Sequence, residues 1–252
     1  MGRPVVTSRY YSGQGICMMA TRDGAGVPQG LRPIGNVPEL SLGIEISTED
    51  HKESYSGARG VDKTSTTETA VSASITFESI DPENLVLGIN GTFTDVVAAV
   101  GATHTVQLFL GKWTALDYLN VSNVSIPDDG VGTLVIDVDY ELDAAHGLIK
   151  LLSNTNKADG VNTIVTYDHA QTYNLEALTA SNPERYFIFS GLNTEDDKPV
   201  RLEIPRLQTT PFSDLPMIND GIGTFSLEAT ALADPFIVDA GKSKYFREIL
   251  GA

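Results

Sequence analysis

The sequence predicts a mainly β protein, a β-sandwich or barrel subunit with one short α-helix. Three observations carry this. Two alternating runs, PELSLGIEI and TAVSASITF, flank a long polar segment; strand-like runs bounded by turn residues recur downstream; and one strong helix start stands between the two regions.

In the first run Leu40, Leu42, Ile44 and Ile46 share one strand face and Glu39, Ser41, Gly43 and Glu45 the other, because successive side chains point to opposite sides. In the second, Val71, Ala73, Ile75 and Phe77 oppose Ser72, Ser74, Thr76 and Glu78. An oily face backed by small hydroxyls and carboxylates is the pattern of a sheet packed on one side and wet on the other. Ahead of this pair, residues 1 to 12 read as an arm, Ile16 to Ala20 as a short strand, and TRDGAGVPQG as a loop. The glycines Gly24, Gly26 and Gly30 miss the dinucleotide-binding spacing. The polar stretch from Ser47 to Thr69 is expected to be a long loop, mobile in the free subunit.

Asp81, Pro82 and Glu83 supply a cap, a first helical residue and a first-turn acid, so a helix of about three turns should run to Asn90 or Gly91 and cover the oily face. From Val106 the strand pattern returns as VQLFL, YLNVSNVSI, GTLVIDVDYEL, HGLIKLL and GVNTIVTY, a sandwich-like unit. Asp137, Asp139 and Glu141 then fall on one strand face; without the glycine turn of a calcium loop, a solvated face is the better reading. Residues 171 to 184 read as loop with a helical turn. RYFIFSG and PVRLEIPRL follow, the latter with a proline that marks an edge or a bulge. In GTFSLEATALAD, Phe225, Leu227, Ala229 and Ala231 alternate with Thr224, Ser226, Glu228 and Thr230; KSKYFREIL reads as a short helix or docked tail.

With 33 acidic and 17 basic residues, the net charge is -16. Such a surface repels nucleic acid and argues against conventional DNA binding. Cys17 is the single cysteine, so no intrachain disulfide forms. No run approaches the roughly 20 apolar residues of a membrane span, and the first residues lack a signal-peptide core, so a soluble protein made in a cytoplasm is expected. His51, His104, His146 and His169 are scattered without metal spacing, no serine sits in a nucleophile elbow, and Gly241-Lys242-Ser243 lacks the first glycine of a phosphate loop. The expectation is a non-enzyme with no cofactor and no metal.

Three stretches resemble the major tail tube protein of long-tailed, non-contractile bacteriophages. They are NVPELSLGIEI through the polar segment to AVSASITFESIDPENLVLGINGT, then DYELDAAHGLIKLLSNTNKADGVNTIVTYDH, then PVRLEIPRL through GIGTFSLEATALADP. The resemblance implies a structural virion protein assembled in the host cytoplasm into hexameric rings, stacked as a tail tube that conducts DNA. Each subunit would give four strands to an inner β-barrel of 24 strands, with a backbone diameter of roughly 48 Å and a bore of about 40 Å. It further implies a single tail-tube domain over 1–252, with 13–104 and 185–252 as inner-barrel core and 105–184 as an outer β-rich subdomain. The lining would comprise Glu39, Ser41, Glu45, Ser72, Ser74, Thr76, Glu78, Glu203, Thr224, Ser226 and Glu228, with Arg201 paired to a neighbouring glutamate. Carboxylates would repel phosphates and let DNA pass without specific binding. Glu49, Asp50, Lys52, Tyr55, Arg59, Asp62 and Lys63 would reach the next ring. Partners would be further copies and the tape measure, tail terminator and distal tail proteins, with no membrane. The alternative is a secreted or surface β-sandwich binding module, an adhesin or carbohydrate binder.

Overall fold

The computed structural model describes residues 10–180 and 184–251. Most of the chain is strand: β1 (Gly13–Thr21), β2 (Arg32–Pro33), β3 (Glu39–Lys52), β4 (Val61–Phe77), then helix α1 (Pro82–Ile89), β5 (Thr92–Val96), β6 (Ala99–Gln107), β7 (Trp113–Ala115) and β8 (Val121–Ser125). They are followed by β9 (Tyr140–Asp143), β10 (Leu148–Leu151), β11 (Asn162–His169), β12 (Thr172–Glu176), β13 (Glu184–Asn193), β14 (Lys198–Thr209), β15 (Phe225–Ala231) and β16 (Arg247–Leu250). This is the mainly β fold with one short helix that the sequence predicts; among the described residues no sheet closes into a barrel.

Two compact units divide the chain, one of residues 1–92 and 176–252, the other of 93–175. The first holds an eight-stranded sheet in the order β2-β1-β13-β14-β15-β4-β3, with β16 beside β14. Its core draws Cys17 and Met19 from β1, Phe187 from β13, Ile204 and Leu207 from β14, Leu227 from β15 and Ile75 and Phe77 from β4. Strands from both ends of the sheet thus contribute to one interior. Helix α1 starts where the sequence places it. Asp81 is its N-cap, accepting from the Asn84 amide at 2.8 Å, and left-handed Asn90 closes it, so it is eight residues rather than three full turns. Leu87 joins the core, as expected of a helix laid on the oily face.

The second unit has two three-stranded sheets, β7-β10-β9 and β6-β11-β8, around a separate core that includes Leu108, Ile126, Ile149, Leu151, Val165 and Tyr167. The chain passes between the units along β5 and β12, which pair with each other. Phe93 and Tyr173 meet edge to face on that ribbon at 6.3 Å.

Several expectations are corrected. The segment from Ser47 to Thr69 is not a loop: β3 and β4 stay paired from Glu39–Thr76 out to Lys52–Val61, the register shifting between Ser47 and Thr48 and between His51 and Lys52, and only residues 53–60 turn. Threonine is β-branched and suits an extended backbone, so TSTTET continues the strand although neither face is oily. The turn is organised by Glu53, whose carboxylate accepts from the Tyr55 and Ser56 amides at 2.9 and 2.8 Å and from the Ser56 hydroxyl.

GTLVIDVDYEL is likewise not one strand. Asp137 is left-handed, and Asp139 turns inward to accept from the Val135 amide at 2.8 Å and Asn156 Nδ2 at 2.9 Å, so Asp137, Asp139 and Glu141 do not share a face. A buried carboxylate satisfied by such donors organises a loop. Residues 172–176 form strand β12 rather than loop, and the closing segment, expected as a short helix or docked tail, docks as strand β16 on the edge of β14. The expected N-terminal arm lies outside the described residues up to residue 9. Among the described residues no helix is long and apolar enough to cross a membrane.

Candidate functional site

The feature that gathers the sequence's candidate residues is the outward face of β3, β4 and β15. In an antiparallel ladder, residues opposite one another share a face. The register sets Glu39 opposite Thr76 and Thr76 opposite Ser226; Ser41 opposite Ser74 and Ser74 opposite Glu228; Gly43 opposite Ser72 and Ser72 opposite Thr230. These are three parallel rows about 7 Å apart, two residues per step. Glu45, opposite Ala70, begins the next row. Gln208 of β14 extends the third row through its pairing with Thr230. Behind this face lie Val71, Ala73, Ile75, Phe77, Leu227 and Ala229, all buried. The period-two pattern that makes the strand also sorts hydroxyls and carboxylates outward.

Local chemistry on the face is hydroxyl to carboxylate. The Ser74 hydroxyl donates to Glu228 Oε1 at 2.7 Å, and the Thr76 and Ser226 hydroxyls lie 3.4 Å apart. Glu78 follows the end of β4 and takes a hydrogen bond from Asn36 Nδ2, while Thr224 lies exposed just before β15. Glu39, Ser41, Glu45, Ser72, Ser226 and Glu228 are exposed.

Glu203 is the exception among the candidates. It sits on β14 away from the three rows and is nearly covered, its side chain 11 % exposed, because Arg201 Nε donates to it at 2.8 Å and Arg247 on β16 clasps its other oxygen. The sequence reading foresaw the Arg201 partner. It missed Arg247, although alternation in FREIL carries the same signal as that in PVRLEIPRL. The Glu203 carboxylate raises the Arg247 pKa, and burial, reinforced by Glu203, raises that of Tyr186 close by. Two guanidiniums on one carboxylate leave a local positive excess on an otherwise acidic chain.

Beyond the rows, β3 and β4 continue as a ribbon exposed on both sides. Of the residues expected on the projecting segment, Glu49 lies opposite Ser65, Asp50 opposite Thr64 and Lys63 opposite His51. Thr64 donates to Asp50 at 2.6 Å, and His51 Nδ1 lies 2.6 Å from Asp62. Tyr55 and left-handed Arg59 occupy the turn, where Tyr55 is 86 % exposed. Next to the ribbon's base, Ile44 and Ile46 are exposed on the continuation of the oily face. The outer edge of β3, fourteen residues long, pairs with no other strand among the described residues.

Among the described residues no group of three or more His, Cys, Asp or Glu side chains is placed to hold a metal ion. His104 stands 3.3 Å from Asp117 and His169 stacks on Tyr118 at 3.9 Å, both in the second unit and far in sequence from the Ser/Thr/Glu rows.

No curated protein matches this chain. Residues 10–249 match the profile of a family described as Protein of unknown function UCP028589. That match spans nearly the whole chain, so the protein belongs to the family Protein of unknown function UCP028589.

Proposed function

We propose that this protein is a structural subunit of a bacteriophage tail tube, self-assembling through strand edges into stacked rings with the Ser/Thr/Glu face toward the bore. The observation that carries the reading is the continuous face of β3, β4 and β15, with its rows of hydroxyls and carboxylates, ending at the outer edge of fourteen-residue β3, which is free among the described residues. A long free edge offers unpaired N–H and C=O groups to another chain, and natural monomers normally blunt such edges. Successive copies related by one rotation close a ring. The acidic face suits a conduit, since phosphates gain nothing by lingering on carboxylates. In this reading the protein works in the virion tail, with further copies and other tail proteins as partners, and performs no catalysis.

Negative-stain microscopy of the purified protein tests it. Hollow filaments with a bore of about 40 Å are expected, from the strand spacing and tilt of a 24-strand wall. A species that stays monomeric at every concentration overturns the reading. Replacing Ile44 and Ile46 together by Lys should abolish filaments while leaving the subunit folded, since both side chains are more than half exposed.

A further inference from the structure

β15 and β16 lie along the same edge of β14 and run in the same direction. Ala231 pairs with Leu207, the Leu232 amide still donates to the Arg206 carbonyl at 2.8 Å, and the ladder resumes with Arg247 opposite Glu203. They are two pieces of one strand, broken by a loop-out where β14 itself bulges at Pro205, a residue with no N–H to give. The loop is closed at its base by the Asp234 amide donating to the Lys244 carbonyl at 2.9 Å.

The closed-off segment is at odds with its own sequence. Phe236, Ile237 and Val238 are strand formers, yet they sit in irregular backbone, with Phe236 55 % and Val238 83 % exposed. Beyond it, Tyr245 and Phe246 are partly buried against the core, while the four residues of β16 are exposed. β16 is held by its ladder to β14, by the Arg247–Glu203 pair and by the Gly251 amide on the Pro199 carbonyl at 2.8 Å.

We propose that residues 235–243 are a hinge and that the following segment, Tyr245 to Leu250, exchanges between copies, so that β16 of one copy completes the β14 edge of another. Every contact that holds the segment at home is remade on the second copy. The net cost is therefore that of opening the loop, namely its pinching hydrogen bond, the turn bonds of Phe236 and Ile237 on Asp234 and the exposed Lys242–Asp239 pair, and extension returns Phe236–Val238 to the backbone they favour. Extended, the nine residues span roughly 30 Å. The inference rests on the self-association proposed above and names one contact that fastens it.

The test uses a disulfide. Since the Gly251 amide bonds the Pro199 carbonyl, the next pair, Val200 with Leu250, is a non-hydrogen-bonded pair, whose closer approach suits a disulfide. The full chain carrying Cys17→Ala, Val200→Cys and Leu250→Cys is oxidised after assembly and run on a non-reducing gel. Covalent dimers and higher multimers, absent when the same protein is oxidised dilute, are expected. Filaments that yield only a monomer band overturn the exchange and leave the tube reading standing; a protein that never assembles and yields only that band overturns both. If Val200→Cys does not fold, the pair Leu202→Cys with Glu248→Cys, also opposite one another, gives the same readout.

Discussion

Arg22 and Asp234 stand 212 residues apart in sequence and meet at 2.7 Å with side chains only 6 % and 4 % exposed. Arg22 also approaches Glu184, which Arg206 grips with two hydrogen bonds, of 2.8 and 2.6 Å. Removing one partner of a buried pair strands the other charge, so Asp234→Ala should cost about 3–5 kcal/mol in urea unfolding; a change of under 1 kcal/mol would show that the pair is not buried in solution. Gly88 decides a contest of opposite signs. Alanine in a helix interior gains about 1 kcal/mol over glycine, but a methyl group here would meet the Phe212 ring at 1.8 Å, and that ring is stacked on Phe225. Overpacking costs about 1–3 kcal/mol, so Gly88→Ala should lower the melting temperature rather than raise it. Burial pushes the Cys17 thiol up to about 11, so at pH 8 it should react with a thiol reagent only after denaturant is added. None of these contacts is legible in the sequence: Arg22, Asp234 and Phe212 carry no local pattern, and the contact between each and its partner comes only with the tertiary fold.

At the scale of the element, the β3–β4 hairpin divides into a half with a core behind it and a half without. Amides of Val71 to Phe77, lying over buried side chains, should exchange with deuterium at least 100-fold more slowly than those of Val61 to Glu68, because a two-stranded ribbon wet on both sides is marginal alone. Equal protection in the isolated subunit would contradict this. The turn at the ribbon's tip has its own pH dependence. Hydrogen bonds from Ser56, first the hydroxyl and then the amide, hold the Glu53 carboxyl below the ordinary range. A group whose pKa is depressed on folding contributes stability above its unfolded pKa and loses it as pH falls through the folded value. The Ser56 amide resonance should therefore hold steady at neutral pH and move only in acid, below the range where an ordinary glutamate titrates, and Glu53→Gln should remove that movement. The packed half was fully legible, because alternation of oily and polar residues is a period-two signal. The projecting half was not, because polarity on both faces erases that signal while the threonines keep the backbone extended. The pairing of β4 with β15, a separation of about 150 residues along the chain, had no sequence signature beyond two runs of the same chemistry.

For the whole molecule, charge and domain structure make separate predictions. With a net charge of -16, filaments of the native chain should not retain duplex DNA at low salt. Filaments with Glu45, Glu78 and Glu228 all changed to Lys should retain it, with affinity falling steeply as salt rises; no difference between the two would sink the electrostatic account of the lining. The residues 93–175 have a core of their own, which shares no member with that of the sheet of eight strands. A polypeptide of that range should unfold cooperatively on its own, with a near-ultraviolet signal from Trp113. Because the chain leaves and returns on two strands paired with each other, β5 and β12, the points of departure and return are neighbours. An excursion that begins and ends at one doorway behaves as a cassette: a two-residue turn or a foreign reporter whose termini lie close together could be spliced into its place, and the scaffold at the threshold would have no gap to span.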